Sequence, residues 1–304
     1  MLRLANMIPV LLGISFCAFV LISLSPSDPA EVALRVNDIT PTPEVIEQTR
    51  AELGLDKPFF SRYLTWLEDS LKGDFGVSYA NGRPVLELML EALPPTLRLA
   101  SAALLLTIVI SCAAGVTSAL HKDSAVDKII RGFIFLATSM PSFWAGLLLM
   151  WLFAVRLDIF PTSGMRGTGA IVLPAFTLSL HYIATYTRLI RAGMLKTGEE
   201  NFVLYARLRG MPKAAVTRLV FLSSLQQTLS GLGMSIPKLV AGAVVVESIF
   251  AWPGVGKLCI SAIFNRDFPV IQAYILFMAI LFVGCGFLAD LAKAWADPRL
   301  REGA

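Results

Sequence analysis

The sequence predicts an all-α integral membrane protein that crosses a bilayer six times. Composition, the length of its apolar runs and the placement of its basic residues predict it. Hydrophobic residues make up 56% of the 304-residue chain and charged residues only 16%. Soluble domains run at about 45–50% and about 25%. Mean hydropathy is +0.68. A spanning helix takes roughly 20 consecutive apolar residues. Six windows meet that: Leu4 to Leu24, Leu99 to Leu120, Gly132 to Val155, Gly167 to Thr187, Leu222 to Val246 and Pro269 to Ala289. The second and third contain no charge at all.

The first window follows Arg3 and has the look of a signal peptide. Its run of about 21 residues exceeds the usual apolar core of roughly 7–15, and no A-x-A-like site follows. An uncleaved first span is therefore expected over residues 1–24. Orientation follows from Lys and Arg in short loops. Arg188, Arg191, Lys196, Arg207, Arg209, Lys213 and Arg218 crowd the loop between the fourth and fifth spans. Lys122, Lys128 and Arg131 follow the second span, and Lys293, Arg299 and Arg301 the sixth. These loops and both termini are expected on the cytoplasmic side of the membrane. Six-span parity puts residues 25–93 outside, and residues 94–293 form the five-span core, with 294–304 a cytoplasmic tail. The net charge of +4 is accounted for by topology and implies no nucleic acid.

The external segment is expected to fold as helices. Thr42 is placed to cap a helix that Pro43 begins and Gly54 stops. Phe60, Tyr63, Leu64, Leu67 and Leu71 repeat at helical spacing between Lys57 and Lys72, and Gly73 ends that run. The segment reads equally as a cap on the span ends and as a docking surface. Pro94-Pro95 is expected to break the chain before the second span.

Polar residues inside apolar windows are pathway candidates. Met140 and Pro141 interrupt the third span, where nearby hydroxyls can satisfy the freed carbonyls. His181 lies in the fourth span and Lys238 in the fifth, with Glu247 at its edge. Each has a plainer reading as a kink, an interhelix hydrogen bond or a snorkelling charge. Nine residues separate Lys238 from Glu247, which puts them on opposite helix faces.

Other chemistries fail on the residues. Gly254-Val255-Gly256-Lys257 is similar to part of a phosphate-binding loop, but Ala251 and Leu258 stand where G-x-x-x-x-G-K-[ST] requires Gly and Ser or Thr. The two His are far apart, no Cys-x-x-Cys occurs, and Cys17, Cys112 and Cys285 lie in apolar runs. No nucleophile–base set, metal site or cofactor site is expected, so the chain is not read as an enzyme. A secondary transporter, which would need intramembrane charges and repeats, remains an alternative.

The basic loop is the most informative stretch. Residues 200–209 read as a short helix, Gly210 as its stop and Pro212 as the start of the next helix. Val203, Leu204 and Leu208 are placed to seat in a partner's groove, with Arg207 and Arg209 pairing with acids around it. A surface helix resting on lipid would have a similar composition.

Leu204-Tyr205-Ala206-Arg207-Leu208-Arg209-Gly210, with Val220-Phe221-Leu222-Ser223 nine residues on, resembles the coupling loop E-A-A-x-x-x-G-x(9)-I-x-L-P of ATP-binding cassette importer permeases. Ala206, Gly210 and Leu222 match, while Leu204 and Ser223 depart. The A-R-x-x-G form resembles the dipeptide/oligopeptide/nickel branch. So does Glu247 to Gly256, similar to E-x-x-F-x-W-P-G-x-G through Trp252, Pro253, Gly254 and Gly256. Asn265-Arg266-Asp267-Phe268-Pro269-Val270-Ile271-Gln272 is similar to N-R-D-[YF]-P-V-x-Q, and Asp297-Pro298-Arg299 to the closing D-P-R. Arg266 and Asp267 are expected to brace the chain by a local ion pair before Pro269 opens the last span.

The resemblance implies a type I importer permease with its coupling loop over residues 191–222. It implies a second, similar permease (a heterodimer), two ATPase subunits and a periplasmic or lipid-anchored solute-binding protein, all within membrane lipid. The segments Phe250 to Gly256 and Ser261 to Asp267 most resemble nickel permeases of the branch. Nickel or another metal chelate is the expected cargo, with a di- or oligopeptide the alternative.

Overall fold

The computed structural model describes residues 2–25, 28–36, 39–167 and 169–296. Asp297, Pro298 and Arg299 of the closing motif lie outside them. Twelve α-helices are described: α1 Leu2–Ser23, α2 Pro29–Val36, α3 Pro43–Glu52, α4 Phe59–Leu71, α5 Val85–Leu120, α6 Ala125–Ser139, α7 Ser142–Leu149, α8 Val172–Gly198, α9 Asn201–Leu208, α10 Lys213–Ile249, α11 Val255–Asn265 and α12 Phe268–Ala296. A π-helix, Met150–Arg156, continues α7. Among the described residues there is no strand, only an isolated antiparallel bridge between Val77 and Pro84.

Three of these helices are long and apolar enough to cross a membrane: Val85–Leu120, Gly231–Ile249 and Phe268–Leu288. A fourth crossing follows if α6 and Ser142–Arg156 count as one span, bent by 111°. The third window is thus no gently kinked rod. Met140, forced out of the α region by the following proline, is extended at φ −94° and ψ 134°. Pro141 then caps α7. The fourth window starts its helix at Val172 rather than Gly167. The glycine-rich turn before it carries positive φ at Gly164, Gly167 and Gly169.

The expected break at Pro94-Pro95 does not occur. Both lie inside α5. The carbonyls they deprive of partners belong to Leu90 and Glu91, which are exposed, so the loss is tolerable. Val85, Leu88 and Met89 are buried against Val255, Ala262 and Val270, and that packing outweighs the proline propensity.

The chain divides into two compact units, Met1–Thr96 with Pro253–Phe287 and Leu97–Trp252 with Leu288–Ala304. In the first, α4 lies against α1 through Phe16, Phe19, Phe59 and Tyr63, whose rings meet edge to face. Tyr63 shares a 2.9 Å hydrogen bond with Ser15. The apolar repeat of α4 is therefore only partly used, because Phe60, Leu64 and Leu71 stay exposed. Thr42 caps α3 and Pro43 opens it, with Gly54 in the left-handed region after it. In the second unit α8 is the central helix, packed by α6, α7 and α10. Small residues permit this: Ala137, Ala145 and Ala184 meet beside the α6–α7 bend.

Candidate functional site

Helix α9 is held by one face and exposed on the other. Val203 and Ala206 are buried with Ile190 and Met194 of α8 and Val216 and Val220 of α10. Burying two apolar side chains of this kind stabilises the loop by about 2–4 kcal/mol. Leu204, Tyr205 and Leu208 face outward at 56%, 65% and 74% exposure. Val203 is thus spent on the chain's own core, contrary to its expected place against a partner. The helical spacing of three explains why: Val203 and Ala206 share the inner face, and Leu204 and Leu208 the outer.

Gly210 closes α9 as the sequence predicts. Its φ is +72°. Its N–H donates to the Arg207 carbonyl at 3.0 Å, and the Met211 N–H donates to the Ala206 carbonyl at 3.2 Å. These are the two bonds of a Schellman stop, which a glycine makes without steric cost. A Cβ at this position would meet nothing within 4 Å. Pro212 then caps α10 with extended geometry. Leu204 to Gly210 therefore form a knuckle that seats Ala206 inward and presents Leu204, Tyr205, Arg207, Leu208 and Arg209 outward.

The pathway candidates divide. Met140, Pro141 and His181 line one cavity of about 350 Å³, together with Ser142, Thr177 and Tyr182. The α6–α7 bend creates it by swinging α7 away from the line of α6. Lys238 does not line it and is exposed. Glu247 is fully buried one residue beyond Val246, which does line the cavity.

The motif at the start of α11 and α12 builds a separate lock in the first unit. Pro253 is exposed, whereas Gly254 and Gly256 are buried where α11 begins. The Val255 N–H donates to the fully buried Thr96 Oγ1 of α5 at 2.9 Å, capping α11 from another helix. Asp267 is also buried, and it reaches far along the chain. Its carboxylate accepts from the Ser78 hydroxyl at 2.5 Å, from the Tyr79 N–H at 3.1 Å and from the Ala80 N–H at 3.4 Å. This bond set spans 187–189 residues of sequence. Arg266 is the left-handed C-cap of α11 at φ 55°. Pro269 sits at the second position of α12, and a Cβ on Gly76 would lie 3.9 Å from its own. Trp252 is buried in the second unit, its N–H donating to the Glu247 carbonyl at 2.8 Å. In the first unit an open cleft of about 660 Å³ is lined by Trp66, Asp69, Asp74, Tyr79 and Gln272 among others.

Sequence reasoning missed the buried carboxylate of Asp127, and took its partner Arg191 only as a topological charge. The Arg191 guanidinium grips it with two hydrogen bonds of 2.9 and 2.8 Å. The available signal was Ser124-x-x-Asp127, an N-terminal helix pattern, which indicates a cap but not an ion pair.

Comparison with known proteins gives a consistent picture. Residues 90–302 match the family described as binding-protein-dependent transport system inner membrane component, and residues 1–100 match its N-terminal companion. The metal-staphylopine import system permease protein CntB of Staphylococcus aureus is 38% identical over 99% of this chain and 97% of its own. The oligopeptide transport system permease protein AppB of Bacillus subtilis is 35% identical over 96% of each. A putative peptide transport system permease of Brucella abortus is 35% identical over 98% and 97%. Among solved structures, the MetNI methionine ABC transporter in an inward-facing form aligns with a TM-score of 0.59 at 15% identity, over 70% of this chain and 97% of that one. An amino acid ABC transporter with histidines aligns at 0.53 and 19%, over 68% and 93%. These two show a shared fold.

Proposed function

Since the chain belongs to the binding-protein-dependent transport inner-membrane family, we propose that its Gly210 loop receives an ATPase stroke and its cargo is a metal chelate. The chain is a permease subunit of an ATP-binding cassette importer, and hydrolysis of ATP belongs to separate subunits. Permeases of this family work with a second permease, ATPase subunits and a substrate-binding protein. Two ATPases and a second, non-identical permease complete the assembly proposed here.

One observation carries the coupling role. Helix α9 is rigidly pinned through Val203 and Ala206, yet leaves Leu204, Tyr205 and Leu208 uncovered between Arg207 and Arg209. In the topology proposed, α1, α5, the bent α6–α7 pair, α8, α10 and α12 make six crossings of the inner membrane. Residues 25–84 and α11 lie outside, and α9 and both termini are cytoplasmic. The basic residues 188–218 support that orientation. The cleft lined by Trp66 and Asp74 then faces the binding protein.

The cavity beside Met140, Pro141 and His181 is the segment of the pathway this subunit supplies. The identity with the metal-staphylopine permease favours a metal chelate as cargo, and the peptide permeases at 35% keep a di- or oligopeptide as the second reading. Two measurements test these proposals. Gly210→Trp in the complete transporter, reconstituted in liposomes, should abolish uptake and binding-protein-stimulated ATP hydrolysis while the membrane abundance is kept. Retained coupling would overturn the loop assignment. Calorimetry on the partner binding protein with nickel plus a carboxylate chelator, against a dipeptide and a tripeptide, decides the cargo.

A further inference from the structure

The Asp127 carboxylate is fully buried at the start of α6. Each of its oxygens is engaged by groups from different elements. Ser118 Oγ of α5 donates to Oδ1. The N–H of Asp123, a left-handed residue at φ 64° in the α5–α6 turn, donates to Oδ2 at 3.1 Å. Arg191 of α8 forks across both oxygens, Nε to Oδ1 at 2.9 Å and Nη2 to Oδ2 at 2.8 Å. Arg131, one turn along α6, stands 3.4 Å away. A carboxylate withdrawn from water tolerates burial only when it is paired and fully hydrogen-bonded. Replacing such a pair by apolar residues often costs nothing, so its worth lies in the geometry it fixes. A two-pronged arginine–carboxylate contact fixes direction as well as distance.

The parts it fixes are next to the knuckle. Arg191 follows Ile190, and Ile190 and Met194 are the α8 residues on which Val203 and Ala206 sit. On the other side Gly115 of α5 meets α8 so closely that a Cβ there would lie 2.8 Å from the Ile190 side chain. Cys112, Val116 and Ala119 pack on the same cluster. The end of α5, the turn, the start of α6, the end of α8 and α9 are therefore joined by apolar contact and by the ion pair.

We propose that Asp127 and Arg191 are positioning residues, a strut that makes α5 and α6 follow α8 when the loop carrying Gly210 is displaced. This rests on the reading of that loop as the ATPase contact. Without the strut, α5 and α6 would be tied to α8 by apolar contact alone, which fixes distance but not direction. The bent α6–α7 pair, which walls the cavity at Met140, would then follow α8 less completely.

The test uses the complete transporter in liposomes and measures uptake per ATP hydrolysed. Arg191→Lys keeps the charge and loses the fork; Asp127→Asn keeps the shape and loses the charge. In both, assembled complex should hydrolyse ATP while uptake per ATP falls at least about tenfold, the scale of a lost intersite coupling. Ser118→Ala, which leaves the ion pair in place, should lower that ratio less than either. An unchanged ratio in assembled Arg191→Lys would overturn the strut, whatever its effect on yield. Failure of both variants to assemble would overturn it too, by assigning the pair to folding alone. A wild-type complex without ATP-driven uptake would instead strike at the function itself.

Discussion

Asp267→Asn tests the lock in the first unit and has a size that can be worked out. The carboxylate takes one hydroxyl and two backbone N–H groups, at 2.5, 3.1 and 3.4 Å. The longest is weak, so two bonds count. Hydrogen bonds to a charged group contribute about 1.5–3 kcal/mol each and neutral ones about 0.5–1.5. Removing the charge with the shape kept should therefore cost about 2 kcal/mol over the two. The Ser78 hydroxyl can turn to accept from the new amide and the Tyr79 N–H can still donate to its oxygen, so what is lost is the charge rather than the bonds. For a chain somewhat longer than 150–250 residues, about 2 kcal/mol lowers Tm by roughly 4–8 °C or slightly less. Ser78→Ala removes one charged hydrogen bond and should cost about 1.5–3 kcal/mol.

Thermal melting of the purified protein in detergent reads the size. Limited proteolysis reads the place, since the lock holds the turn at residues 78–84 and its loss should open cleavage there first. An Asn variant that melts with the wild type and keeps the turn protected would refute the account. It would mean that Asp267 is buried for a reason other than this bond set.

Two further outcomes follow from the same geometry. Burial, and then the nearby Asp267 carboxylate, push the Tyr79 phenol up to about 12. A folded value above the ordinary one of about 10 means its contribution to stability is complete below about pH 10 and lost as pH rises through about 12. Among the late-ionising tyrosines seen by phenolate absorbance, one midpoint should fall in Asp267→Asn, and midpoints that all stay put would sink the attribution to that carboxylate. At the end of α10, Ala251 is left-handed at φ 48°, the position that favours glycine after a helix. Ala251→Gly should raise stability by about 1 kcal/mol, read as a higher Tm; a lower one would show that the Ala251 methyl packs usefully.

Local signals were legible in the sequence where one residue sets the backbone. Thr42-Pro43, Gly210 and Pro212 fall at helix ends as expected, because capping and φ preferences act within a turn. What was not legible depended on distant partners. Pro94-Pro95 reads as a break, yet packing of Val85, Leu88 and Met89 carries α5 through it. Pro141 reads as a kink, and becomes a 111° bend because small residues on α6, α7 and α8 let the halves close on one another. Val203 and Leu204 look equivalent as apolar neighbours; only the position of α8 and α10 decides that one goes inward. The N-R-D-F-P run marks Asp267 as important by resemblance, but nothing local to it says that its partner is a turn near residue 79.

On the coupling role proposed above, a loop that transmits force has to be held by its own chain and open toward its partner, and the eight residues of α9 are buried on one face and exposed on the other. Its stiffness comes from two inward side chains and a glycine stop, and its openness from the residues between them. That division explains the match at Ala206 and the departure at Leu204. Ala206 faces α8 and α10, where a larger side chain would push the helix off its seat. Leu204 faces outward at 56% exposure, so its side chain does not answer to the packing of this fold. The same reasoning separates the two ends of the chain's machinery. The Asp267 lock holds a turn in place through bonds to backbone, which suits a brace. The Asp127 fork joins side chains on two helices beside α9, which suits parts that have to travel together.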